Sequence, residues 1–405
     1  HHHLFMKSIK SDFLRTMLVA SMILLAGCHG KPEQVDTAAY CVNIDSAEVV
    51  DILPMSSLFK SGKIVCSLDT ASAAMLGAID KMEICGDYVI AMDRNIRHQL
   101  CVFDRDGKFL HTIGAKGNGK GEYADLLDFT CDSGEGLIYI LDGKGGKIHS
   151  YSISEGEYKK SLDCSNEYVN IKYAQSCLYC YHPSLNIGEA HAARFLLDRI
   201  EPSDGKILEQ YLTSGYNKGS CHPLMFNGSA FLGTESGTFR LALIFANQVM
   251  ALDKDGKLYP YLTLNSRNWV SENDLKEFGF QSDHKSLAVL FSRRKALGMS
   301  DFMESEKYIL LSYMQGFSRR HILYDKAKEC AFVVRRLTDD LLGSKVDFGS
   351  MNLQYAGSDG KGVYFFLSPG DMDSMNNQLW NEPPFSRLHV ADDAFNGAVF
   401  YYEFI

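Results

Sequence analysis

From Val49 to its end the chain is a succession of short apolar runs broken by Gly, Asp, Asn and Ser. The clearest are Lys63–Leu68, Tyr88–Met92, Gln99–Phe103, Leu137–Leu141, Ser176–Tyr181, Tyr308–Tyr313, Gly362–Leu367 and Ala398–Phe404. Runs of this length, rich in β-branched and aromatic residues and bounded by turn formers, predict strands. Several are apolar on both sides, as in Leu100-Cys101-Val102-Phe103 and Ile309-Leu310-Leu311. Such strands must be covered on both faces, which an isolated sandwich face would not require. Helical patterning is sparse. Ser271-Glu272-Asn273-Asp274 reads as a capping box ahead of Leu275–Phe278, and Ser286–Leu297 as a second short helix.

Asp-Gly-Lys turns punctuate the runs at Asp106, Asp142, Asp204, Asp255 and Asp359. Glycine supplies the positive φ of a tight hairpin without steric cost, so a repeated Asp-Gly marks a repeated antiparallel unit. No regular strand–helix–strand alternation exists, which disfavours a parallel doubly wound sheet. Many strands, burial on both faces and recurrent turns together predict an all-β, six-bladed β-propeller of four-stranded antiparallel blades with short helical insertions. The repeating units are expected to begin near Tyr88, Leu137, Cys177, Phe239, Tyr308 and Gly362. Ala398–Phe404 is expected to complete a sheet begun by Val49–Leu53, closing the ring.

The amino end carries a different signal. Met6-Lys7-Ser8-Ile9-Lys10 is basic, Met17–Ala26 is apolar, and Leu25-Ala26-Gly27-Cys28 follows. That order describes a secretory leader whose apolar run is too short to span a hydrocarbon core of about 30 Å. Leu-Ala-Gly-Cys resembles a bacterial lipobox, which implies lipid attachment at Cys28. The expected organisation is an upstream tag or misplaced start at 1–5, a lipoprotein signal peptide at 6–27, a tether at 28–46 and the propeller at 47–405. With 46% hydrophobic and 22% charged residues the chain can bury a full core. Its net charge of −9 becomes −11 when residues 1–27 leave, because Lys7, Lys10, Arg15 and Asp12 go with them. That acidity disfavours a nucleic-acid surface. The cysteines after Cys28 sit mostly in apolar runs and read as small buried hydrophobes rather than a disulfide framework. Cys177 and Cys180, three apart in a strand, point to opposite faces and do not read as metal ligands.

From Leu58 to Tyr151 a family resemblance emerges. It rests on Gly86-Asp87-Tyr88 with Asp93, Val102-Phe103-Asp104-Arg105-Asp106-Gly107-Lys108, Gly117-Asn118-Gly119-Lys120-Gly121-Glu122-Tyr123 and Tyr139-Ile140-Leu141-Asp142. The stretch resembles the six-bladed propeller lipoproteins of gut Gram-negative bacteria, relatives of NHL-repeat propellers. Lys120 replaces the usual proline of that family's glycine-rich turn, and Asn396-Gly397 stands where Asn-Pro is common. The resemblance implies a fold and a cell-envelope location, with no agreed reaction.

Few motifs promise chemistry. Gly114-Ala115-Lys116-Gly117-Asn118-Gly119-Lys120-Gly121 nearly matches a phosphate-binding loop, but Gly121 holds the Ser/Thr position and no helix follows. The run is expected to be a structural loop of Gly117, Gly119 and Gly121, tied to its blade by Glu122 and Tyr123. Asp104-Arg105-Asp106 and Asp253-Lys254-Asp255 lack the further ligands of a calcium loop. His182, His191, His222 and Trp269 are the candidates for a ligand face on inserted segments around 182–226 and 266–300; no catalytic or metal-ligating residue and no cofactor is assigned. The functional expectation is a lipid-anchored outer-membrane binding module in the cell envelope with a glycan, peptide or protein partner. The alternative is a propeller lyase or hydrolase acting on a glycan or peptide conjugate. Convergence of three or more of His182, His191, His222, His284 and His321 at one end of the channel would favour the enzyme, and an apolar or aromatic rim without titratable groups would favour binding.

Overall fold

The computed structural model describes residues 38–182, 195–213, 229–233, 237–243, 245–277, 284–343, 346–372, 381–388 and 395–405. Six twisted sheets form a β-propeller. Blade one is β4 (Lys81–Cys85), β5 (Tyr88–Asp93), β6 (Gln99–Asp104) and β7 (Phe109–Ile113). Blade two is β8 (Leu126–Asp132), β9 (Leu137–Asp142), β10 (Lys147–Ser152) and β11 (Tyr158–Asp163). Blade three is β12 (Asn170–Ala174), β13 (Cys177–Tyr181), β14 (Phe195–Ile200) and β15 (Ile207–Thr213). Blade four runs β16 (Phe231–Leu232), β17 (Arg240–Ala242), β18 (Gln248–Leu252) and β19 (Leu258–Asn265). Blade five runs β20 (Ala296–Glu304), β21 (Tyr308–Gln315), β22 (Ser318–Asp325) and β23 (Cys330–Asp339), with the short β24 (Val346–Asp347) on β23. Blade six is β25 (Gln354–Ser358), β26 (Gly362–Leu367) and β27 (Ala398–Phe404), completed by β3 (Phe59–Ser67) from the other end of the chain.

The expected unit starts fall on the second strand of each blade, at or beside β5, β9, β13, β17, β21 and β26. Ring closure also differs from expectation. Ala398–Phe404 pairs with β3, in the register Ala398↔Ser67 to Phe404↔Phe59. The run containing Val49–Leu53 is β2 (Glu48–Pro54), which pairs in parallel with β23 of blade five. Ahead of it β1 (Tyr40–Asn43) adds in parallel to β19 of blade four. Blades four and five are thus more than four-stranded, and ordered propeller structure reaches Tyr40, inside the segment expected to be a tether. The reason is edge chemistry: the outer strand of a blade presents unpaired N–H and C=O groups, and a passing extended segment satisfies them. Tyr40 fixes that crossing by packing edge-on against Tyr261 of blade four and Tyr324 of blade five, at 5.3 and 5.2 Å.

Second strands are buried throughout, as in Val89, Ile90, Ala91 and Met92 or Ile138, Ile140 and Leu141. Blades stack face to face at about 10 Å, so both sides of these strands are core. Polar side chains stitch the blades together. The buried Asn396 accepts from Leu76 N at 2.7 Å and donates to Asp69 O and Ala74 O at 2.8 and 2.7 Å, joining blade six to the chain entering blade one. Glu304 of blade five accepts from Arg240 of blade four at 2.9 Å and from Lys326 at 2.7 Å, and Tyr261 also donates to it. The Tyr402 hydroxyl donates to Asp339 across the boundary of blades six and five at 2.5 Å.

Four of the five Asp-Gly-Lys glycines, Gly107, Gly205, Gly256 and Gly360, adopt φ between +79° and +85°. Gly107 needs glycine twice over, since a Cβ there would meet Ser67 O at 2.2 Å. Asp104 Oδ1 accepts from Asp106 N and Lys108 N, and Asp253 Oδ1 from Asp255 N and Lys257 N. These carboxylates serve their own turns. After Asp142 the left-handed residue is Gly146, not Gly143. Of the helices, α1 (Glu272–Glu277) carries its capping box, with Ser271 Oγ accepting from Asp274 N at 3.2 Å. The second, α2 (His284–Ser292), ends earlier than expected, because Ala296 and Leu297 are drawn into β20 by pairing with β21.

Candidate functional site

The first strands β4, β8, β12, β16, β20 and β25 surround an axial cavity of about 500 Å³. Its wall is divided. Blades one to three contribute Lys81, Glu83, Asp128 and Lys172; blades four and six contribute Phe231, Leu232, Tyr355 and Phe366, with Asp301 of blade five and Asp359 of blade six on the same side. Lys81 and Glu83 are two apart on β4, so both project to the same side.

Lys81 is the centre of the charged half. Its Nζ donates to Asp128 Oδ1 at 2.8 Å and to Phe129 O at 2.6 Å, and lies 3.3 Å from Glu83 Oε1. Burial disfavours this ammonium, but Asp128 and Glu83 outweigh it and hold its pKa above the ordinary lysine value. Burial likewise works to raise the Glu83 carboxyl, yet Lys172 and Lys81 pull its pKa below the usual carboxylate range. The other oxygen of Asp128 accepts from Ile171 N at 2.9 Å and Asn170 Nδ2 at 3.3 Å, and Asn170 Oδ1 accepts from Ala230 N at 3.2 Å. A continuous polar relay therefore runs from blade one through blades two and three into blade four. Lys172 of blade three joins it at Glu83, through a 3.4 Å contact. Across the cavity the Tyr355 ring of blade six lies against Gly233 of blade four, two blades away, where a Cβ would fall 1.5 Å from Tyr355 Cε1.

The residues expected to form a ligand face do not gather here. His182 is buried just after β13, with Asp198 Oδ2 3.9 Å from its Nε2 and the Tyr168 ring edge-on. Trp269 is buried too; its indole N–H donates to Phe245 O at 3.1 Å and its ring packs against Tyr313. It fastens the insertion to blade five and builds no open rim, because its large apolar face finds a packing partner. His191 and His222 lie outside the described residues, as does Cys28. His321 is on β22, bonded through Nδ1 to Ser312 Oγ at 2.9 Å, on a different blade from His182. In the glycine-rich loop Glu122 Oε2 accepts from Gly119 N at 2.8 Å, Gly117 N donates to Tyr123 O, and Tyr123 is buried with its hydroxyl on His98 O. Gly121, at φ +75°, leads toward β8 rather than a helix, and Tyr151 donates to its carbonyl.

One constellation imitates a hydrolytic triad. Asp142 Oδ2 is 3.3 Å from His149 Nε2, and His149 Nδ1 is 2.7 Å from Ser161 Oγ. Asp142 and His149 are buried, and none of the three lines the axial cavity. Asp142 is committed elsewhere, accepting from Ala124 N, Asp125 N and Gly145 N, each at 2.9 Å. Asp93 caps the chain entering blade one in the same way, from Gly77 N and Ala78 N. Blade three repeats the arrangement with reversed roles: Cys180 pairs with Asp198 and Asp198 with Gln210, as Ile140 pairs with His149 and His149 with Ser161. His182, two residues past Cys180, thus holds the place of Asp142. A motif repeated between blades is scaffolding, so the Asp–His–Ser geometry holds strands together.

The channel residues escaped sequence reasoning, although the alternation Lys81, Glu83, Cys85 in β4 is a readable signal. Among the described residues no three His, Cys, Asp or Glu side chains cluster closely enough to hold a metal ion, and no helix is long and apolar enough to cross a membrane.

Comparison with curated proteins gives no match. Among solved structures the chain is similar to an exported protein of Bacteroides fragilis, with 14% identity and TM-score 0.65 over 91% of this chain and 100% of that one. It is also similar to a member of the DUF4221 family from Bacteroides vulgatus, with 10% identity and TM-score 0.49 over 85% of this chain and 98% of that one. Identities this low speak to the fold alone. A sequence family, described as domain of unknown function DUF4934, matches residues 39–391, and the chain belongs to that family.

Proposed function

We propose that this protein is a lipid-anchored propeller of the cell envelope that binds a small glycan in its axial channel. One observation carries the reading: a cavity of about 500 Å³ with a charged hydrogen-bonding wall facing an aromatic one. The volume lies within the range of about 300–1,000 Å³ usual for small-ligand sites. A sugar ring has an apolar face to lay on an aromatic side chain, and hydroxyls that pair with both carboxylates and ammonium groups. The cavity lining sets four cations, Lys81, Arg94, Arg105 and Lys172, against five anions, Asp80, Glu83, Asp128, Asp301 and Asp359, a near balance that suits an uncharged ligand. The envelope location and the anchor at Cys28 are supported by the leader, the Leu-Ala-Gly-Cys motif and the resemblance to NHL-like lipoproteins. A histidine-based lyase or hydrolase would need converging histidines, and of the candidates the described His182 and His321 stand on separate blades.

The test is a calorimetric screen of the mature chain, without its acyl group, against panels of oligosaccharides and short peptides. Binding of an oligosaccharide that Lys172→Met weakens tenfold or more, about 1.4 kcal/mol, supports the reading. Binding of peptides only, or sugar binding indifferent to Lys172→Met and Tyr355→Ala, refutes it. The anchor is tested separately, by incorporation of a labelled fatty acid that Cys28→Ala abolishes.

A further inference from the structure

Cys85 ends β4 in blade one and Cys131 lies near the end of β8 in blade two, so the two thiols belong to neighbouring first strands. Cys131 packs against the same apolar cluster that contains Cys85, both residues line the axial cavity, and neither is disulfide-bonded. Most other cysteines behave differently. Cys101 and Cys180, for example, are enclosed in core clusters and do not line the cavity, so there the thiol acts as a small hydrophobe. Two thiols on neighbouring strands, packed in one cluster at the wall of a shared cavity, are placed for exchange chemistry.

We infer that Cys85 and Cys131 form a redox-active pair that closes to an inter-blade disulfide inside the channel. The oxidant is an incoming disulfide of the glutathione or dithiol-oxidoreductase class. One cysteine, as thiolate, attacks a sulfur of that disulfide; a mixed disulfide forms and one thiolate leaves. The second cysteine, losing its proton, displaces the other half as a second thiolate. The protein loses two hydrogens and two electrons, and the oxidant is reduced to two thiols. Burial holds the Cys131 thiol well above the ordinary range, with Cys85 adding to it, so closure is slow at neutral pH and speeds up as pH rises. The pair sits beside Glu83 and Lys172, so the bond would form within the charged wall itself.

The experiment treats the reduced mature chain with glutathione disulfide at mildly alkaline pH, quenches by alkylation, and maps peptides by mass. The expected result is a Cys85–Cys131 cross-link that forms roughly tenfold faster in the native chain than in urea, since the fold holds the thiols together. In Cys85→Ala and Cys131→Ala the remaining thiol is expected to stop at a glutathione adduct. Native wild-type chain giving only glutathione adducts, cross-links between other cysteines, or a Cys85–Cys131 bond no faster than in urea would overturn the inference. The wild-type comparison stands even if a variant does not fold.

Discussion

His182 stands in blade three where Asp142 stands in blade two, and Asp198 faces it from the place of His149. The same aspartate–histidine contact thus occurs twice with its partners exchanged, at 3.3 Å in blade two and 3.9 Å in blade three. The exchange alters what each site can satisfy. Asp142 takes three backbone N–H groups, whereas His182 Nδ1 and Nε2 have no hydrogen-bond partner among the described residues. Putting aspartate at 182 alone sets two buried carboxylates side by side, so His182→Asp should cost about 3 kcal/mol. Adding Asp198→His recreates the blade-two polarity and should recover at least about 1 kcal/mol of that loss. Urea unfolding of the four proteins in the cycle measures the coupling; strict additivity would show that the two sites are not equivalent.

Two lysines of one wall should differ in what they hold. Lys81→Met strands Asp128, which is almost wholly enclosed, and is expected to destabilise by about 3–5 kcal/mol. Lys172→Met removes a 3.4 Å contact to Glu83, which keeps Lys81 at 3.3 Å, and should cost less, about 1.5 kcal/mol. Equal losses in chemical denaturation would contradict the relay from Lys81 into blade two.

Gly233→Ala tests the contact across the channel. The added methyl would overlap the Tyr355 ring, so the ring must turn away at a cost of about 1–3 kcal/mol. Shortening the opposing side chain with Tyr355→Ala should make Gly233→Ala nearly neutral. A Gly233→Ala penalty unchanged in the Tyr355→Ala background would mean that strain at Gly233 itself was responsible.

Stability should fall as pH drops below the range of free histidine. His321 is held down to a pKa of about 4, first by burial, with Arg319 and Arg320 also disfavouring its cation and Asp301 and Asp347 opposing them. Burial lowers His182 too, against Asp198 and Glu167. A histidine depressed in the folded state binds its proton more readily when unfolded. Its contribution is therefore complete above about pH 6.5 and is lost as pH falls from there toward the folded value. For His321 the loss is on the order of 3 kcal/mol at most. Thermal unfolding between pH 7 and pH 4.5 should show His321→Gln less acid-sensitive than wild type, and equal sensitivity would assign the effect to other groups.

The architecture was legible where the chain is apolar and hidden where it is polar. Second strands such as Tyr88–Met92 and Leu137–Leu141 are buried on both faces, so composition alone marks them, and counting them yields six blades. First strands such as Lys81-Met82-Glu83-Ile84-Cys85 and Asn170-Ile171-Lys172 border the axis and carry ions, so they resemble loops in an apolar profile. The candidate site lies on these strands and was missed for that reason. Histidines invited attention as reactive groups, but His182 and His321 are held inside their blades. The parallel additions of β1 and β2 were unreadable, because pairing with β19 and β23 spans more than two hundred residues and no local pattern encodes it.

That last feature has a temporal side. Strands β1, β2 and β3 are the first parts of the propeller to be synthesised, yet they find their partners only in β19, β23 and β27. Contacts so distant in sequence are slow to form, and a growing chain offers β1 no partner until β19, β2 none until β23, and β3 none until the final strand exists. The circle therefore locks last, and the leading segment is kept slack for most of the chain's manufacture.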